Sequence, residues 1–188
     1  MDFMELLERR TIRFFRQEPV PEAELRKMLD AARRASCGAN AQILRYMVIR
    51  DPELVEKVFY CTAYAGKVKP RRSPVWGVNA PLTFIALLAP EGRGEADAGA
   101  AVQSMEFAAH DSGLGSCWIG SFDHAKVNEL LDPPEGLQVR YLLAVGYPAE
   151  LYPVQEDITL ADKPDYYLDA EDRLHVPKYT VDALTEWK

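Results

Sequence analysis

Arg9, Arg10, Thr11 and Arg13 fall within five consecutive residues, and side chains of these types do one thing well. A guanidinium is a planar fork that grips a phosphate through two parallel hydrogen bonds, and a threonine hydroxyl adds a further donor. The molecule around them is acidic, with 22 Lys and Arg against 29 Asp and Glu and a net charge of −7. The basic cluster is therefore a local exception. A blander use also exists. The cluster closes a predicted helix, "MELLERR", where the macrodipole favours each cation by roughly 0.3–1 kcal/mol. Local composition leaves both uses open.

A second polar group lies in "ASCGANAQ" (35–42). Ser36, Asn40 and Gln42 put hydroxyl and amide groups on a turn, where they can meet the donors and acceptors of a heterocycle. Gly38 is placed to end the preceding helix in a left-handed conformation. Cys37 is a candidate thiol, but no base adjacent in sequence supports nucleophilic catalysis.

The third group is "GLGSCWIG" (113–120). Its glycines resemble a dinucleotide fingerprint, yet that fingerprint needs a strand before them and a helix after, and here the order is reversed. Gly113 and Gly115 are better placed to close a helix and turn into a strand. Gly120 ends that strand, where a residue without Cβ lets backbone N–H approach a flat ligand. His110, His124 and His175 are scattered and are expected to face solvent or line a helix. No metal-ligand spacing and no hydrolase, zincin or Walker pattern is present.

The elements that must position these groups follow from periodicity. "EPVPEAELRKMLDAARRAS" spaces Leu25, Met28, Leu29 and Ala32 as one face of an amphipathic helix. Residues 45–50 form a strand, "DPELVEKVFY" a helix with Pro in its first turn, and 64–80 a loop. "PLTFIALLA" (81–89) is apolar on both faces, as a central strand requires. A long helix in "EADAGAAVQSMEFAAHDSG" carries small residues that let another helix approach. "SCWIG" is a strand, "DHAKVNELLD" a helix and "LQVRYLLAVGYP" a strand. Past Pro148 periodicity stops, although Tyr166, Tyr167, Leu174, Tyr179 and Trp187 are too apolar for a solvated tail.

Helices and strands mix without βαβ alternation, so the expected class is α+β. The length of 188 residues suits a single domain, 1–188, whose last forty residues form an extended C-terminal arm docking on a partner subunit. Acidity argues against nucleic acid. No apolar run is long enough to span a membrane or to act as a signal peptide. Three cysteines without pairing pattern suggest the reducing cytoplasm.

Taken in order, "RRTIRFF", "PVPEAELRKMLDAARRASCGANAQ", "APLTFIALL", "DAGAAVQSMEFAAHDSGLGSCWIG", "VRYLLAVGYPAE" and "LHVPK" resemble the FMN-dependent nitroreductase family over nearly the whole chain. The resemblance implies a central, mostly antiparallel sheet flanked by helices, in a homodimer that holds FMN at the subunit interface. By the same resemblance Arg9, Arg10, Thr11 and Arg13 bind the FMN phosphate and ribityl chain, and Lys178 closes on that phosphate. Ser36, Cys37, Asn40 and Gln42 match the turn that reaches the flavin from the other subunit. Gly120 matches the position whose N–H points at flavin N5, with Trp118 and Ile119 along the ring.

The implied activity is reduction of the flavin by NADH or NADPH and then of a nitroaromatic, quinone or similar acceptor, in ping-pong fashion. The cofactor carries the chemistry and no catalytic side chain is required. Loop 61–79 and the segment around Phe122 would select the acceptor. An FMN storage or sensor protein without turnover would show the same phosphate cluster. The chain departs from the family pattern in places. Ser36 stands where proline is usual, Ile43–Leu44 where Pro-Trp is usual, and Tyr179 where a second basic residue often follows the lysine. The family often has a cation near the flavin N1/O2 edge; Lys69, Arg71 and Arg72 are the candidates.

Overall fold

The computed structural model describes residues 2–66, 68 and 72–188. Two compact units emerge, one of residues 1–64 and 74–150, the other of residues 65–73 and 151–188.

The first unit is built on a four-stranded sheet. Its elements are α1 (Phe3–Leu7), α2 (Glu22–Arg34), β1 (Arg45–Ile49), α3 (Pro52–Tyr60), β2 (Thr83–Ala89), α4 (Glu95–Asp111), β3 (Gly115–Ile119), α5 (His124–Leu131) and β4 (Gln138–Gly146). The strand order is β1-β2-β4-β3 and every pair is antiparallel. The α+β class with a central antiparallel sheet is thus as the sequence predicts. β2 is apolar on both faces because it is interior, and all seven of its residues are buried.

On one face, Ile85, Leu87, Leu143 and Val145 meet Leu25, Met28 and Ala32 of α2 and Ala98, Ala101, Val102, Met105 and Ala109 of α4. The alanines let the two helices pack closely. Residues of the opposite register, such as Phe84, Ala86, Leu142 and Ala144, are equally buried. Helix starts follow local chemistry. The Asp51 side chain accepts the Leu54 N–H before Pro52 opens α3, and Asp123 accepts the Lys126 N–H at the start of α5.

α4 ends as its sequence suggests. Gly113 takes a left-handed φ of 71°. Its N–H donates to the His110 carbonyl, and the Leu114 N–H donates to that of Ala109, the pair of bonds of a Schellman motif. The chain enters β3 immediately afterwards. Gly38 departs from expectation. α2 ends at Arg34 and the chain leaves it extended at Ala35 (φ −60°, ψ 149°), so no left-handed cap is needed there. The positive φ values fall instead on Ala39, Asn40 and Gln42.

The second unit holds regular structure that the sequence did not announce. β5 (Val154–Ile158), β6 (Tyr167–Leu168) and β7 (Leu174–Tyr179) form a sheet in the order β5-β7-β6, followed by α6 (Val181–Leu184). The alternation that marks a strand is hidden here. β5 carries Gln, Glu and Asp between its apolar ends, β6 has two residues, and Pro177 interrupts β7. Proline is tolerated because β6 pairs only with Leu174 and His175, leaving β7 with one neighbour, β5, at position 177.

His175 is not the solvent-facing or helix-lining residue expected from sequence. Its ring stacks on Tyr167 (4.6 Å between centroids) and lies between Glu156 and Asp169, with Nε2 2.9 Å from Asp169 Oδ2. Asp169 holds the imidazole above its ordinary range, against an opposing effect of burial and with further support from Glu156. Both carboxyls are held below theirs, Glu156 chiefly by the Tyr167 hydroxyl and Asp169 chiefly by His175. The imidazolium's contribution is complete below the unfolded value of about 6.5 and disappears as pH rises through the raised native value. The carboxylates' contribution disappears as pH falls through their depressed native values. Amide-exchange protection of β7 is therefore expected to fall as pH rises above about 6.5 and through the raised native value. In His175→Gln it should start lower and lose this pH dependence. Equal profiles for the two proteins would remove the imidazolium from the stability of this sheet.

Candidate functional site

The arginine segment is laid along the free edge of β3. Thr11 bridges Ser116 in parallel sense, and the Ile12 N–H donates to the Ser116 carbonyl (2.9 Å). Farther along, the Phe15 N–H donates to Asn79, the Arg16 N–H to Tyr147, and the Ala149 N–H to Phe14. Ile12 and Phe15 are fully buried. Two facing glycines make room for them. Gly115 and Gly146 are register partners; a Cβ on the first would stand 2.7 Å from Ile12 Cβ, and on the second 2.9 Å from the Phe15 ring. Between these two buried residues, Arg13 and Phe14 are half-buried.

The four cations divide their work. Arg10 folds back on its own helix, donating to the carbonyls of Leu7 and Arg9 and to Glu8, the helix-end use weighed from sequence. Its Nε is buried with no partner. Arg9 lies against α4, with Nη1 3.4 Å from Glu106 Oε1. Arg16 pairs with Glu18 and lies over the Tyr147 ring, half exposed. The Arg13 guanidinium has no hydrogen bond or ion pair among the described residues, while its backbone N–H is held by Glu150 (2.6 Å).

Two carboxylates at this site were not singled out from sequence. Glu106 is 3% exposed, and one of its oxygens, Oε1, takes both Arg9 and the Ser116 hydroxyl (3.3 Å). Burial drives its carboxyl upward, more than Arg9 and Ser116 draw it down. A signal for it existed: Glu106 sits four residues after Val102 and three before Ala109, on the apolar stripe of α4. Glu150 accepts the N–H groups of both Arg13 and Phe14, a role with no local sequence mark. Beneath them the Cys117 thiol is pushed up to about 12 by burial and is no nucleophile. Burial also raises Cys61.

The turn of Ser36, Cys37, Asn40 and Gln42 is held to the other end of α4, where the Gly38 N–H donates to Asp97 (3.0 Å). Asp97 and Glu106 are nine residues apart, about 13 Å along the helix. Among the described residues no hydrogen bond joins this turn to the arginines. Three non-glycine residues with positive φ are a concentration of backbone strain that functional turns often carry. Ser36, Cys37 and Gln42, with Ile43 and Leu44, line a cavity of about 230 Å³. Gln42 also donates to the Asn40 side chain (3.2 Å).

At the far end of β3, Trp118 is 40% exposed and meets Tyr141 edge to face (5.1 Å). Ile119 points into the core, so only its backbone is available to a ligand. Gly120 is exposed, and an added Cβ would meet Tyr141 at an ordinary 3.6 Å. The protein's own packing therefore does not demand glycine here. Ser116 and Gly120 are four residues apart, about 13 Å along the strand. Lys178 lies exposed on β7 in the second unit, where Arg72 donates to the Asp172 carbonyl (3.1 Å). Lys69 and Arg71 lie outside the described residues.

Comparison with known proteins gives the chain its relatives. The chain is 31% identical over 176 residues to an NADH dehydrogenase of Thermus thermophilus, covering 77% of this chain and 85% of that one. It superposes on a nitroreductase family protein of Clostridium novyi NT with a TM-score of 0.67 at 26% identity, covering 80% and 87% of the two chains. It also superposes on an FMN-dependent nitroreductase of Clostridium difficile R20291 with a TM-score of 0.66 at 23% identity, covering 79% and 89%. The nitroreductase family model matches residues 6–74 and 79–147, a span that takes in the arginine segment, the strained turn and β3 together. The chain belongs to the nitroreductase family.

Proposed function

We propose that this protein is an FMN-dependent oxidoreductase that takes electrons from NADH or NADPH and passes them to a small organic acceptor, such as a nitroaromatic or a quinone, in ping-pong fashion. Membership of the nitroreductase family supports oxidoreductase activity of this general type. The observation that carries the cofactor assignment is an Arg13 guanidinium without a hydrogen bond or ion pair among the described residues, together with an Arg10 Nε that is buried without a partner among them. Buried donors without acceptors are costly, and a phosphate supplies several acceptors at once. From these arginines β3 runs to an exposed aromatic ring and a glycine. That layout suits a molecule with a phosphate at one end and a flat ring at the other.

When bound, FMN supplies the electron-transfer chemistry that the side chains here do not. Arg9, Arg10, Thr11 and Arg13 would hold its phosphate. The Gly120 N–H and Trp118 would serve its ring. Ser36, Cys37, Asn40 and Gln42 meet the polar edge of the ring from the other subunit of a homodimer. Support for the dimer comes from the second unit, which exposes Leu160, Val181, Leu184 and Trp187, an apolar set that suits a partner surface. Phe122, tied to Thr62 by a strand bridge, and the adjoining loop select the acceptor.

The purified protein is expected to be yellow and to bleach when NADH or NADPH is added without oxygen. Flavin that stays oxidised with both donors would overturn the reductase assignment and leave a flavin-binding protein without turnover. A native mass of one chain would overturn the dimer.

A further inference from the structure

A carboxylate buried against a phosphate-binding arginine is an unexpected neighbour. Glu106 Oε1 lies 3.4 Å from Arg9 Nη1 and 3.3 Å from Ser116 Oγ. Both contacts fall on this one oxygen. Oε2 makes no hydrogen bond to another described residue, and the side chain is only 4% exposed. An ionised carboxylate so buried, with one long ion pair and one hydroxyl as its partners, is expensive. It also competes with any incoming anion for the same guanidinium.

Resting on the FMN-phosphate assignment above, we propose that Glu106 belongs to the phosphate site and accompanies the bound anion as a neutral carboxyl, so that cofactor retention is coupled to uptake of one proton. Ionised, Glu106 keeps Arg9 for itself and repels the phosphate. Protonated, it releases Arg9 and its O–H becomes one more donor. The proton comes from solvent and returns when the anion leaves.

Few charged or titratable groups surround Glu106. Arg9 and Arg13 contribute guanidinium cations. From β3 come Ser116, which is neutral, and Cys117, whose buried thiol stays protonated. Glu150, beyond β4, is engaged with the backbone of Arg13 and Phe14. In α1, Glu5 accepts the Asp2 N–H, and Glu8 just after it pairs with Arg10. α2 gives Leu25, Met28 and Ala32 to the core it shares with α4. His110 lies one turn farther along α4. Burial already drives the Glu106 carboxyl upward, and a nearby phosphate adds like charge that drives it further. Between the free and bound values, affinity falls as pH rises, by up to about tenfold per pH unit for one proton.

The test is FMN binding by apoprotein between about pH 5 and 9, followed through quenching of flavin fluorescence, for the parent and Glu106→Gln. Riboflavin, which lacks the phosphate, serves as the control ligand. Above about pH 7 the phosphate is already a dianion, so any slope there belongs to the protein. The expected result is that the parent loses FMN affinity with rising pH. Glu106→Gln should stay nearly flat and bind more tightly at the alkaline end, and riboflavin should bind both proteins alike. Calorimetry of the parent in buffers of different ionisation enthalpy should show net proton uptake with FMN and none with riboflavin; this does not depend on the variant. Equal FMN slopes in parent and variant, with no uptake, overturn the proposal and leave Arg9–Glu106 a structural ion pair. FMN and riboflavin binding equally at every pH overturns the phosphate assignment itself.

Discussion

Arg13→Ala is expected to purify folded and to hold FMN about ten- to a hundredfold more weakly than the parent. Removing one charge-assisted hydrogen-bonding partner costs on the order of 1.5–3 kcal/mol, and each 1.4 kcal/mol is about tenfold in affinity. The guanidinium has no hydrogen bond or ion pair among the described residues, and the segment is anchored through the Arg13 backbone rather than its side chain. Stability should therefore change by no more than about 0.5 kcal/mol. Arg13→Lys keeps the charge but loses the two-pronged fork, so its affinity should fall between the two. Flavin fluorescence titration reads the affinity and urea denaturation the stability. Full FMN occupancy in Arg13→Ala would show that the phosphate is held elsewhere.

Gly115→Ala should damage both properties together. The new methyl would stand 2.7 Å from Ile12 Cβ and within 2.9 Å of both of its γ carbons. Isoleucine is stiff at this bond, and the Ile12 N–H is fixed to Ser116. Relief therefore requires lifting the segment that carries the arginines. Overpacking of this kind costs about 1–3 kcal/mol, and FMN affinity should fall with it. Gly120→Ala, on the same strand, is the counterpart. Its methyl meets Tyr141 at 3.6 Å, so the urea midpoint should not move. If Gly115→Ala is as stable as the parent, the close approach is not what places the segment.

The sequence reveals most clearly those parts whose cause is local. Leu25, Met28 and Ala32 spaced for a helix face, a β2 apolar on both sides, and Gly113 closing α4 were all visible as patterns, and each is found where expected. The order of motifs also carried the family, since it spans both the arginine segment and β3. Other features were hidden because their cause is distant. Glu150 acts on residues 136 and 137 positions earlier, and nothing around it marks that. Gly115 looked like part of a turn, whereas its missing side chain accommodates Ile12. The strands after Pro148 escaped because β7 borrows its partners and tolerates a proline. Gly38 misled because a helix that exits extended needs no glycine. Arg10 shows the limit of composition alone: of identical side chains three residues apart, one folds back on its own helix and the other makes no hydrogen bond or ion pair among the described residues.

The edge pairing of residues 11–16 also bears on when the site can exist. Besides Asn79, the contacts that hold the segment are with Ser116, Tyr147, Ala149 and Glu150, so the arginines are tethered across more than a hundred residues of sequence. On a ribosome adding about 5–20 residues per second, residues 9–13 wait roughly 5–30 s for those partners to be made. Closing so long a loop also places this contact late in folding. The arginines therefore reach their positions only after β3 and β4 have been made and paired.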